Sequence, residues 1–176
     1  MATAAPLKPA FKPFVPAEES RPELTVRALL LGAVFGVLFG AVTVYVGLRA
    51  GLTVAASIPI SVLSISILRA FGRASILENN IVQTTGNAGQ SIASGVIFTL
   101  PALYILKLDP HPAQTIFICV AGGCLGVLFL IPLRRYFVRD MHGTLPYPEA
   151  TAITEVLVTG EKGGSQAKLL LQATAI

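Results

Sequence analysis

The sequence predicts an all-α, polytopic transmembrane protein, and three observations carry that prediction. Four long stretches hold no charged side chain, the basic residues gather on alternate sides of them, and charge is scarce overall. Only 12% of the 176 residues are charged and 53% are hydrophobic, with a mean hydropathy of +0.73; soluble domains average about 25% charged. A net charge of +4 would suggest nucleic acid in a soluble protein. Here most basic residues flank apolar runs, so topology accounts for them, and the expected partner is the lipid bilayer, with no nucleic acid.

Residues 1–22 are polar, contain Pro6, Pro9, Pro13 and Pro16, and lack a short apolar core ahead of a small-residue cleavage site. They read as a disordered cytoplasmic tail. The uncharged runs follow: Ala28 to Leu48 (21 residues), Ala50 to Leu68 (19), Asn79 to Leu106 (28) and Pro112 to Leu133 (22). Each is close to or above the ~20 residues that a spanning helix needs, so four spans are expected. The second run holds Pro59, whose missing N–H would free the carbonyl of Ala55 and kink the helix. A gating hinge is the alternative there. Thr53, Ser57, Ser61 and Ser64 share a face that can satisfy such freed groups.

Orientation follows from the cations. With the amino terminus inside, the cytoplasmic segments carry Lys8, Lys12, Arg21, Arg27, Arg69, Arg73, Arg134, Arg135, Arg139, Lys162 and Lys168, eleven of the 13 basic residues. The outer loops keep Arg49 and Lys107. That bias supports four crossings and a cytoplasmic amino terminus. After the fourth run, Pro148 suits a helix start, Glu149 suits its positive end and Gly160 a stop, which predicts a short cytoplasmic helix over about Pro148 to Thr159. Ser165 then caps a further helix through AKLLLQATAI, residues 165–176, a truncated fifth span. The chain reads as an amino-terminal portion of something larger.

The third run opens with NNIVQTTGNAGQSIASG. On a helix at 100° per residue, Asn80, Gln83, Thr84, Asn87, Gln90, Ser91 and Ser94 fall within an arc of about 120°. Ile81, Val82, Ile92 and Val96 lie opposite, with Thr85 the polar exception. Amides cannot face lipid unpaired, so this stripe meets either neighbouring helices or a polar solute path. Gly86 and Gly89 also permit the helix to break near the midplane, where transporter sites form.

Gly32, Gly36 and Gly40 in the first run, and Gly122 and Gly126 in the fourth, form flat ridges for close helix packing. Cys119 and Cys124 point about 140° apart on a helix, and His111 and His142 lie in separate loops. No metal site and no cofactor are expected from them. Nor does an acid–base pair or activated nucleophile stand out, so the chain is not expected to be an enzyme.

Three segments, in order, resemble the oligopeptide transporter family, which includes the yellow stripe-like transporters. YVGLRAGLTVAASIPISVLS, from Tyr45 to Ser64, is similar to the family's first hairpin; NNIVQTTGNAGQSIASGVIFTLPALYIL is similar to its polar third segment; LPYPEATAITEVL is similar to its Pro-Glu segment after the next span. Order and spacing agree over residues 23–164. The resemblance implies a multi-span secondary transporter in a bacterial inner membrane, importing short peptides or metal–chelate complexes, generally with protons. The rest of such a transporter would be this segment's partner. Glu149 is the candidate for proton coupling, a solvated cytoplasmic face being the alternative for it and for Glu155; Glu78 points away from the amide stripe if the helix is continuous. The competing function is a non-transporting membrane scaffold or assembly subunit, in which ridges and stripe serve packing alone.

Overall fold

A computed structural model describes residues 13–16, 18–72, 74–141 and 143–162. The tail over residues 1–12, the helix expected from Ser165 and the loop residue His142 lie outside them. All regular structure among the described residues is helical: α1 (Val26–Ala50), α2 (Ser57–Ala70), α3 (Ile76–Ile105), α4 (Pro112–Arg135), a π-helical turn (Tyr136–Asp140) and α5 (Pro148–Lys162). Three of these helices are long and apolar enough to cross a membrane: α1, α3, and α4 with its π turn.

The helices pack as two units. In the first, α1, α2, α3 and α5 come together. Thr25 caps α1 by accepting from Ala28 N, and Gly51 closes it with φ +68° while its N–H donates to Gly47 O at 2.9 Å. That left-handed conformation strains any residue with a Cβ. Ser75 caps α3 and shares a reciprocal capping box with Glu78. The third run, expected either whole or broken, lies but for Leu106 in one helix of 30 residues that passes through Gly86 and Gly89 without interruption.

The second run departs from expectation. Only 12 of its residues, Ser57 to Leu68, lie in α2, a helix of 14 residues or about 21 Å at 1.5 Å per residue, and residues 52–56 before it are not helical. Pro59 consequently sits in the first turn of α2, where its missing N–H has no intrahelical partner to lose. There is no mid-helix kink at Pro59, and Ala55 is not part of the helix. Gly160, expected as a stop, lies inside α5. A Cβ there would strike the Ile65 side chain, so glycine lets α5 close onto α2.

The core is where α1, α2 and α3 meet: Ala28, Phe35, Ile60, Leu68 and Val82 are buried together with Ala56. In lipid, apolar burial adds little to helix association, so contact distance decides. The Gly32, Gly36 and Gly40 ridge meets α3 at Thr85, Gly89 and Ala93, and Gly47 meets Ile97. Thr85, the polar exception to the stripe, is thereby accounted for: it packs against Gly32.

The second unit holds α4 and the π turn. His111 caps α4, its Nδ1 accepting from Ala113 N at 3.3 Å, and Pro112 follows at the first helical position. No residue of α4 is buried. A Cβ added at Gly122 or Gly126 meets nothing within 4 Å, and Cys119 and Cys124 are free thiols.

Candidate functional site

The polar residues of α3 divide according to what they face. Thr84, Ser91 and Ser94 each donate a hydroxyl to the carbonyl four residues earlier, at 2.8, 2.9 and 3.0 Å. Their hydrogen-bonding demand is met within their own helix. Asn80 is exposed, while Gln83 and Gln90 are buried and Asn87 is half-buried. The seam that faces α2 runs through Asn79, Gly86, Asn87 and Gln90: Asn79 Oδ1 lies 3.1 Å from Ser64 Oγ, and Gly86 seats Ile60.

Two junctions on this seam join separate elements. At the first, Ser57 Oγ lies 2.6 Å from Glu149 Oε1 and 3.0 Å from Asn87 Oδ1. A hydroxyl has one proton, and the shorter, charge-assisted bond to the carboxylate takes it. The Asn87 carboxamide then donates its N–H to Ser57 Oγ, since carboxamide O and N exchange by a flip. Glu149, on the first turn of α5, is thus linked through Ser57 to the amide stripe. Ser57 is also the first residue of α2, so the carboxylate sits at the positive end of that helix as well as its own.

At the second junction, Gln90 holds the non-helical chain ahead of α2. Its Oε1 accepts from Ala56 N at 3.1 Å, and its Nε2 donates to Val54 O. Both backbone groups lie outside regular structure and would otherwise need water or another partner.

Glu78 belongs elsewhere. It is fully buried at the start of α3, where Arg27 grips it in a bidentate pair at 2.9 and 2.7 Å and Thr25 Oγ1 donates at 2.6 Å. This ties α1 to α3 at the end remote from the stripe's centre. At the same end, Arg69 donates to the carbonyls of Gly160 and Glu161, closing α5, and Arg21 pairs with Glu161 at 2.5 Å.

The sequence located Asn87, Gln90, Ser57 and Glu149 singly but did not pair them. It passed over Asn79, although Asn79, Gln83, Gly86 and Gln90 follow the i, i+4, i+7, i+11 spacing of a packing seam.

The family profile described as OPT oligopeptide transporter protein matches residues 23–176. The chain belongs to this oligopeptide transporter family. A Haemophilus influenzae protein provisionally named an oligopeptide transporter is 48% identical over 118 residues, covering 66% of this chain and 18% of its own length. The iron-phytosiderophore transporter YSL15 of Oryza sativa subsp. japonica is 29% identical over 182 residues, covering 86% of this chain and 27% of its own. The chain thus spans about a fifth to a quarter of the length of these relatives. No solved structure gave a significant match. Membership of the oligopeptide transporter family, together with three helices able to cross a bilayer, makes this a multi-pass integral membrane protein.

Proposed function

We propose that the chain is the amino-terminal part of a proton-coupled secondary transporter that takes up oligopeptides or metal–chelate complexes. The observation that carries this reading is the Asn87–Ser57–Glu149 junction, where an ionisable carboxylate reaches the amide face of a long apolar helix. In this reading α5, expected as a cytoplasmic helix, runs beside α2 with its first turn at membrane depth, where a polar chain ending in a carboxylate suits proton movement and amides suit solutes rich in peptide-like groups. The relatives' names point the same way, one to oligopeptides and one to an iron chelate. In this reading the stripe around Asn87, with Asn80, Gln83, Thr84, Ser91 and Ser94, borders the solute path, and Glu149 carries the coupled proton.

The reading also takes the chain to cross four times, amino terminus in the cytoplasm of a bacterial inner membrane. The 14 residues of α2 rise about 21 Å, and in this reading the non-helical residues 52–56 before them cover the rest of the ~30 Å hydrocarbon layer. The competing reading, a scaffold, has two observations in its favour: the Gly36–Gly89 contact and the Gln90 bonds are both internal packing.

The test is uptake of radiolabelled short peptides and metal chelates by the full-length transporter carrying Asn87→Leu. Uptake should fall to background while membrane insertion stays normal. Unchanged uptake would remove Asn87 from the path.

A further inference from the structure

Gln90 was expected on the solute path, yet both ends of its side chain are already committed. In a parallel pair of strands, one residue accepts from the residue after its partner position and donates to the residue before it. The Gln90 carboxamide does the same to Ala56 N–H and Val54 C=O. A side chain on α3 thereby stands in for one residue of a missing neighbouring strand. It is 8% exposed, so water cannot easily replace it.

What this fixes is the start of α2. Ala56 is the residue before Ser57, and Ile60 N closes the first helical turn on Ala56 O at 2.9 Å. Moving Ala56 moves the Ser57 hydroxyl, which has to stay within reach of Glu149 and Asn87 together.

We infer that Gln90 is a positioning residue rather than a solute ligand: its carboxamide pins the non-helical Val54–Ala56 backbone and so sets where Ser57 meets Glu149. The inference rests on the junction reading proposed above for its functional consequence, but not for its structural one. Gln90 works through backbone groups, so its loss alters how fast the junction operates rather than how tightly solute binds. Asn87, one turn earlier, differs in leaving its carboxamide half-exposed.

The experiment uses the purified full-length transporter in nanodiscs and in proteoliposomes, with Gln90→Leu, Gln90→Glu and Glu149→Gln. Backbone hydrogen exchange at Ala56 should rise by about tenfold or more in Gln90→Leu, as one buried hydrogen bond is lost. Gln90→Glu keeps an acceptor for Ala56 N–H but loses the donor to Val54 O, so its exchange should fall between the parent and Gln90→Leu, which also supplies a variant should Gln90→Leu fold poorly. In uptake of a labelled tripeptide, Gln90→Leu should lower the maximal rate with KM unchanged. In the Glu149→Gln background it should add no further loss, because the two act in one chain. Ala56 exchange unchanged in Gln90→Leu, or a raised KM with the maximal rate intact, would overturn the inference. If Glu149→Gln alone transports like the parent, the junction reading fails, and exchange at Ala56 still decides whether Gln90 positions the backbone.

Discussion

A Cβ on Gly89 would come within 2.6 Å of both the Cα and the carbonyl oxygen of Gly36, backbone atoms that no rotamer change can move aside. A Cβ on Gly36 instead meets its nearest neighbour, Thr85 O, at 3.5 Å, an ordinary contact. Gly95 has nothing within 4 Å. The three therefore rank themselves. Gly89→Ala should lose about 1–3 kcal/mol to overpacking, read as a lowered melting midpoint in detergent. Gly36→Ala and Gly95→Ala should be neutral or slightly stabilising, by up to about 1 kcal/mol of helix propensity. At this scale the four-residue spacing of Gly32, Gly36 and Gly40 was legible, because a ridge is a property of one helix. Its partner was not. Gly89 looked like a point of weakness because sequence shows the missing side chain but not the neighbour that needs the room.

Among the elements, the break in regular structure falls before α2, in residues 52–56, rather than at Gly86 and Gly89 in α3. An uncharged run long enough to span says nothing of whether all of it is helical, and Pro59 marks a first turn as readily as a kink. The side chain that makes the break tolerable, Gln90, lies 34 residues from Ala56 in sequence, beyond any local pattern. Helix starts were easier to read: Pro148 opens α5 as expected. The tie between α1 and α3 is a further matter of elements, with Glu78 fully buried against Arg27. Arg27→Met strands that carboxylate and should lower the thermal midpoint of the α1–α3 pair. Adding Glu78→Gln should recover much of it. Thermal unfolding of the single and double variants checks this, and equal losses in both would mean the ion pair is not what holds the helices.

For the whole molecule, the class and the helical content were legible from charge alone, since hydrocarbon excludes ions whatever the packing. The number of crossings needs the path of residues 52–70, and the cation bias supplies an expectation for it. With four crossings, cysteines placed at Leu52 and at Phe71, exposed residues on either side of α2, should react with an impermeant thiol reagent from opposite faces, Phe71 from the cytoplasm. Labelling of both from one face would mean that α2 re-enters rather than crosses. The central claim, that Glu149 couples proton movement to solute through Ser57 and Asn87, is tested most directly in proteoliposomes carrying Glu149→Gln in the full-length transporter. The account predicts that accumulation driven by a pH gradient is lost while downhill solute exchange between equal pH compartments persists. Accumulation equal to that of the parent would contradict it.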